Sequence, residues 1–258
     1  MIVRFGQAGS SGLGNFEGIK HSKELELAAM ECAFTYGVKM SNSLARQCGK
    51  LAKELDIKLS VHAPYYINLT SKEKAKITAS KKRILMSCER AHHLGAKYVV
   101  FHAAYYQKQS QEECYEKVAE QIKEMNAVIK KSKWNLKLAP ETTGKASQFG
   151  DLNELLKLKK ETGCHLCVDF AHIYSRNLGK IDYNEVFKKL KSLNHIHSHF
   201  SGIEYGQKGE RHHKPIEKKF FAPLAKAIKR HKPKSITIIT ESPNPYGDAV
   251  KIKKWFKE

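Results

Sequence analysis

The 258-residue chain contains no apolar run close to the roughly 18 residues that cross a bilayer, and its start, Met1-Ile-Val-Arg-Phe-Gly-Gln, lacks the charged-then-apolar layout of an export signal. Both absences predict a soluble, intracellular protein. Proline (7) and glycine (16) are sparse and no linker or low-complexity tract interrupts the sequence, which excludes a disordered polymer and predicts one domain over residues 1–258. The six cysteines (Cys32, Cys48, Cys88, Cys114, Cys164 and Cys167) are too scattered for a disulfide framework and fit reduced thiols. Cys164-His-Leu-Cys167 has CxxC spacing, but no second CxxC accompanies it, and it reads as the approach to a strand. Negative charge is also scarce: 26 Asp and Glu against 46 Lys and Arg leave a formal charge of +20, which excludes an acidic-tail protein and favours a polyanionic partner such as nucleic acid.

What is present is enough apolar material for a core, 41% of residues, in a recurring order of β-branched run, polar turn and helical stretch. Eight strands are predicted, at residues 2–5, 30–34, 59–62, 98–102, 136–140, 165–170, 195–199 and 236–240. Between them, Ser110-Gln-Glu-Glu113, Asp151-Leu-Asn-Glu154 and Asp182-Tyr-Asn-Glu185 have the capping-box layout of helix starts, and Gly95 and Gly163 suit helix ends. Eight strands alternating with helices in this length predict a (β/α)8 TIM barrel.

Six consecutive strands finish in a metal-capable side chain: His62, His102, Glu141, Asp169, His197 and Glu241, each about one strand-plus-helix unit from the last. In a barrel the carboxyl ends of the strands ring one mouth, so these side chains would converge. A lone His or Glu at a strand end is usually an ordinary hydrogen-bonded residue. Six together would cost several kcal/mol per buried charge without a cation, so a metal cluster is expected. Mixed imidazole and carboxylate donors favour zinc, with manganese or iron as alternatives, over calcium and magnesium. Three His and three carboxylates exceed what one tetrahedral ion with an open position needs, so at least two ions are expected, sharing a carboxylate. His172, Glu210 and His212 stand close enough in sequence to supply a third set.

The motifs Val61-His62-Ala63-Pro64-Tyr65-Tyr66-Ile67-Asn68-Leu69, Val100-Phe101-His102, Pro140-Glu141-Thr142-Thr143-Gly144, Val168-Asp169-Phe170-Ala171-His172, His197-Ser198-His199-Phe200-Ser201-Gly202, Glu210-Arg211-His212 and Thr240-Glu241-Ser242-Pro243-Asn244-Pro245, taken in order, resemble the endonuclease IV family of abasic-site nucleases. That resemblance implies a barrel with three zinc ions at its mouth, manganese being possible at one of them. His62, His102 and Glu141 would hold the first ion, Glu141, Asp169, His197 and Glu241 the second, and His172, Glu210 and His212 the third. Two positions depart from the family pattern: Glu210 stands where Asp is usual, with His213 offering a competing imidazole, and His199 stands where many relatives have Asn.

The activity so implied is hydrolysis of the phosphodiester 5′ to an abasic site in duplex DNA, leaving a 3′-hydroxyl and a 5′-deoxyribose phosphate, with Glu141 as the catalytic carboxylate. A monomer associated with the nucleoid of a prokaryotic cytoplasm would suit that task. Tyr65 and Tyr66, just after His62, would fill the gap left by the missing base, and Lys208 and Arg211 would contact phosphates. Two rival readings are a metal-dependent sugar isomerase or epimerase on the same barrel, and a nucleic-acid-binding protein without catalysis. The charge, the paired tyrosines and the number of ligands favour the nuclease.

Overall fold

The computed structural model describes residues 1–258. In chain order its elements are β1 (Ile2–Ala8), α1 (Asn15–Glu24), β2 (Ala29–Ala33), α2 (Asn42–Glu54), β3 (Lys58–His62), α3 (Lys74–Leu94), β4 (Tyr98–Phe101), α4 (Gln111–Lys131), β5 (Lys137–Pro140), α5 (Leu152–Thr162), β6 (Cys167–Asp169), α6 (Phe170–Arg176), α7 (Tyr183–Leu190), β7 (Ile196–Phe200), β8 (Gly202–Gly206), β9 (Gly209–Lys214), α8 (Lys218–His231), β10 (Ser235–Thr240) and α9 (Pro245–Lys257).

Runs such as Ile236-Thr-Ile-Ile-Thr240 carry β-branched side chains on both faces, which suits a parallel strand covered on both sides. Eight such strands pair in the order β5-β4-β3-β2-β1-β10-β7-β6, every pairing parallel. The edges β5 and β6 meet through a parallel bridge between Glu141 and Cys167, and the Thr142 N–H donates to the Cys167 carbonyl at 3.0 Å. The sheet is therefore a nearly closed (β/α)8 barrel, as the alternation of strand and helix patterns predicts, and each predicted strand coincides with a barrel strand to within a few residues. A core of 62 buried residues fills the space around the strands and under the helices. No helix is long and apolar enough to cross a membrane.

Local signals place the helices. Ser110 with Glu113 and Asp151 with Glu154 form reciprocal capping boxes at α4 and α5, and the Asp182 carboxylate accepts from the Asn184 and Glu185 N–H groups at the start of α7. Gly95 and Gly163 end α3 and α5 at φ 68° and 74°, a conformation that costs glycine nothing.

Two insertions depart from the simple repeat, and neither was legible as an element in the sequence. The short helix α6 starts directly at the end of β6. The antiparallel hairpin β8–β9 rises between β7 and α8 and docks on the loop after β5, where the Glu210 N–H donates to the Gly144 carbonyl at 3.0 Å. Gly209 allows that approach: its φ is +89°, and a Cβ there would lie 2.3 Å from the Gly144 oxygen.

Because the Asp151 box satisfies N–H groups that α5 otherwise leaves unpaired, Asp151→Ala is expected to lower stability by about 1 kcal/mol. Urea unfolding would show this as a lower midpoint at unchanged slope.

Candidate metal centre

Each candidate ligand reaches the mouth for a local reason. His62 is the last residue of β3, while His102, Glu141 and Glu241 immediately follow β4, β5 and β10. Asp169 ends β6 and also caps α6, its carboxylate accepting from the His172 N–H at 2.7 Å, so one turn of helix carries His172 to the same spot. In β7, His197 and His199 both face the barrel interior, two residues apart on one face of the strand. Register decides between them. His199 pairs with Asp169, the last residue of β6, whereas His197 pairs with Cys167 one pleat deeper.

Glu141 sits at the centre and is 1% exposed. Its Oε2 lies 3.2 Å from His62 Nε2 and 3.0 Å from His102 Nε2, and its Oε1 lies 2.9 Å from His199 Nδ1. One carboxylate thus presents an oxygen to each of two neighbouring ligand groups. Three such groups adjoin at the mouth: His62, His102 and Glu141; Glu141, Asp169, His199 and Glu241; and Asp169, His172 and His213, each with donor atoms within 4.8 Å of one another. Glu210 closes on the third group, its carboxylate oxygens 3.4 Å from His172 and 3.7 Å from His213. Two of the expected ligands stand outside these groups. His197 is buried beneath the mouth, grouped instead with Cys167 and His199 and hydrogen-bonded to Glu31 at 2.9 Å, and it is His199 that stands with Glu141, Asp169 and Glu241. His212 is largely exposed, 3.9 Å from Glu204, and His213 takes its place. The cause is a β-bulge: Tyr205 pairs with Glu210 and Glu204 with His212, leaving Arg211 as the extra residue, so Glu210 and His213 share a face although three residues apart.

The donor set fits metal ions. A carbonyl only accepts, so the contacts of His62 Nδ1 to the Ala63 oxygen (2.8 Å), His172 Nδ1 to the Thr142 oxygen (2.9 Å) and His213 Nδ1 to the Glu241 oxygen (2.8 Å) place a hydrogen on each Nδ1. All three rings then turn Nε2 into the site, the orientation that backbone carbonyls impose on metal-binding histidines. His172 Nε2 and His213 Nε2 stand 3.4 Å apart, a pairing that needs a proton or a metal ion beside it. Asp169 Oδ2 is fully buried without a hydrogen-bond partner.

Electrostatics say the same. Burial opposes charge on Glu141, but His199 and His102 hold its carboxyl well below the usual range. Burial likewise works against protonated His62 and His172, yet Glu141 lifts the first to about 9, and Asp169 with Glu141 lifts the second to about 9. Despite burial, His199 keeps Glu241 down at about 2. Asp169 is the exception, pushed up by burial. The carboxylates demand positive charge; protons on the imidazoles supply it, and divalent ions supply it equally with release of those protons.

Two residues escaped the sequence reading. Glu31, in β2, is 0% exposed, accepts from Ser60 Oγ at 2.7 Å and His197 at 2.9 Å, and stands 2.9 Å from His199 Nε2 in ion-pair contact. It lies inside an apolar strand, where only its charge set it apart. Tyr36, just past β2, is 77% exposed and meets Tyr65 edge to face at 6.5 Å. With Tyr65 and Tyr66, both more than half exposed, it makes an aromatic rim beside the mouth. Lys208 in the hairpin turn and Arg211 on the bulge are exposed on the same insertion as Glu210 and His213. The mouth holds a cleft of about 490 Å³ lined by His62, Tyr65, His102, His172, Glu210 and Glu241 among others. A larger cavity, about 750 Å³, opens at the opposite end of the barrel.

Fold and site together define a (β/α)8 protein with a metal-capable mouth. The chain belongs to the xylose isomerase-like TIM barrel family, matched over residues 19–258. An uncharacterized protein of Methanocaldococcus jannaschii is 38% identical across 100% of this chain and 98% of its own. A probable endonuclease 4 of Mycoplasma genitalium is 27% identical, over 85% of this chain and 81% of that protein. Among solved structures, endonuclease IV from Thermus thermophilus superposes with a TM-score of 0.77 at 18% identity, covering 98% of this chain and 99% of that one. A D-tagatose 3-epimerase-like protein superposes at 0.74, also at 18% identity, covering 98% and 96%. At such identities the two superpositions establish the fold alone.

His213→Ala is expected to lower bound metal by about one ion per chain while His212→Ala leaves it unchanged, as measured by elemental analysis. Glu31→Gln, which weakens the support of His199, is expected to lower metal affinity by roughly 10- to 100-fold without removing a ligand.

Proposed function

We propose that this protein is a DNA-repair endonuclease that hydrolyses the phosphodiester 5′ to an abasic site in duplex DNA, leaving a 3′-hydroxyl and a 5′-deoxyribose phosphate. The observation that carries the reading is the run of three adjoining ligand groups linked through Glu141 and Asp169. A sugar of ordinary size needs fewer ions than that, whereas hydrolysis of a phosphodiester develops negative charge on the attacking and leaving oxygens as well as on the two non-bridging ones. The relatives named probable endonuclease 4 and the net charge of +20 support it.

In this reading His62, His102 and Glu141 hold one zinc ion, Glu141, Asp169, His199 and Glu241 a second, and Asp169, His172, His213 and Glu210 a third. Zinc at such sites supplies Lewis acidity, neutralising phosphate charge and making water acidic enough to act near neutral pH. The protein's own contribution is positioning. Glu141 holds its two oxygens towards different ligand groups, and its burial keeps it from turning to solvent. The backbone carbonyls of Ala63, Thr142 and Glu241 fix three imidazoles before anything binds. Tyr65 and Tyr66, with Tyr36 behind Tyr65, offer ring faces to a duplex opened at a missing base, and Lys208 and Arg211 reach for phosphates from the hairpin. Duplex DNA is thus the partner, met at the carboxyl end of the barrel.

A second reading, a metal-dependent sugar isomerase or epimerase, draws on one observation: the mouth cleft of about 490 Å³ would also enclose a monosaccharide. Incision of a duplex bearing one abasic-site analogue separates the two. The nuclease reading expects a cut on the 5′ side, lost on chelation and restored by zinc. No cut by protein whose metal content is verified, together with interconversion of ketoses, would establish the epimerase instead.

Glu141→Ala is expected to deplete bound metal and reduce incision by roughly a thousandfold or more, since it removes a donor shared by two groups. Tyr65→Ala combined with Tyr66→Ala is expected to weaken binding to abasic duplex by about 1–3 kcal/mol per lost stack while sparing intact duplex; equal loss on both substrates, read by fluorescence anisotropy, would remove the wedge role.

A further inference from the structure

The amino-terminal end of the barrel, opposite the metal-capable mouth, holds the larger cavity, about 750 Å³. The elements that line it contribute strand beginnings rather than strand ends. Arg4 lies early in β1, Lys58 opens β3, and Lys97 directly precedes β4. Lys50 and Lys53 come from the last turns of α2, and no Asp or Glu is among the 18 lining residues. Of the five cations, Lys58 is paired with Asp56 at 2.6 Å and Lys50 reaches Glu54 only at 4.0 Å. Arg4, Lys53 and Lys97 have neither a carboxylate within 4.0 Å nor a side-chain hydrogen bond.

Like charges gathered around one concavity repel one another, and ordinary surface design intersperses signs to avoid it. Here Asp56 and Glu54 offset part of that repulsion from outside the lining, but no acid lines the concavity itself, where low-dielectric walls strengthen the field. The same cavity offers a neutral hydroxyl in Thr237, and aromatic surface in Tyr98, which stacks on His195 with rings 1° from parallel. Its volume lies in the range of small-molecule sites and exceeds what a lone inorganic anion fills.

We propose that this cavity is a binding site for a small phosphorylated anion carrying at least two phosphate groups, such as pyrophosphate or the diphosphate of a nucleotide, held by Arg4, Lys53 and Lys97. The site lies at the opposite end of the barrel from the mouth, and its lining reaches the mouth residues only through the His197, Glu31 and His199 contacts. A diphosphate presents charge at both ends, which matches cations brought from β1, α2 and the start of β4; a single carboxylate or sulfate would engage only part of the ring.

The test is calorimetric titration of the full-length, zinc-replete protein with inorganic pyrophosphate and, separately, with ADP and adenosine, at about 150 mM salt. Saturable binding of pyrophosphate or ADP below about 1 mM, with none for adenosine, is expected. ADP binding more tightly than pyrophosphate would assign a nucleotide, and equal binding the diphosphate alone. The double variant Lys53→Ala/Lys97→Ala is expected to weaken either ligand by about tenfold or more, while the charge-matched surface variant Lys160→Ala/Lys226→Ala stays within about twofold. Arg4→Gln gives a third, independent variant, and unfolding midpoints confirm that each remains folded. The proposal is overturned by the absence of saturable binding, by equal weakening in the surface variant, which would mean attraction to net charge only, or by unchanged binding in the Lys53/Lys97 variant, which would put the anion at the mouth.

Discussion

A carboxylate removed from water and given three imidazoles for company organises this protein. Glu141 has no stable place in a barrel interior on its own, because burial alone penalises its charge by several kcal/mol. It persists because His62 and His102 face one oxygen and His199 the other, and because Asp169 and Glu241 complete the surroundings of His199. The surrounding groups are in turn fixed by backbone: carbonyls hold three of the rings, and the cap of α6 holds Asp169 and His172 together. The result is a cluster whose own balance is incomplete without added positive charge, which is the physical meaning of raised imidazoles beside depressed carboxyls.

The barrel supports this because parallel strands end on one side. Six strands and the short helix α6 deliver candidate ligands to the mouth without any loop having to travel far, and the hairpin β8–β9 brings the remaining two by docking on the loop after β5. Below the mouth the polar column continues through His199, Glu31 and His197 to the floor of the opposite cavity, so both ends of the barrel carry chemistry-bearing side chains joined by close polar contacts. The two ends differ in kind. The upper end pairs acids with imidazoles, whereas the lower gathers cations without acids.

Much of this was legible in the linear order of residues. The β-branched runs, the capping boxes at Ser110 and Asp151 and the terminal glycines marked strands and helices that the structure contains. Ligands at strand ends were legible because a strand end is a place a sequence can mark. His197 and His199 were not separable in that way: they lie on the same face of one strand, and only their pairing with Cys167 and Asp169 says which reaches the mouth. Likewise, two-residue spacing places Glu210 and His212 together in any regular strand, and only the bulge at Arg211 brings His213 rather than His212 onto the face of Glu210.

The sequence by itself determined the barrel class and the gathering of five strand-end donors, His62, His102, Glu141, Asp169 and Glu241, because periodicity and strand length are local properties that survive without knowledge of neighbours. Tertiary structure decided which imidazole stands beside which carboxylate. It also recruited Glu31 from the interior of a strand, set Tyr36 beside Tyr65, and gathered Arg4, Lys53 and Lys97 around one cavity. Those outcomes depend on strand register, on a bulge and on which strand beginnings meet at the barrel floor, and register is a relation between strands that neither strand carries alone.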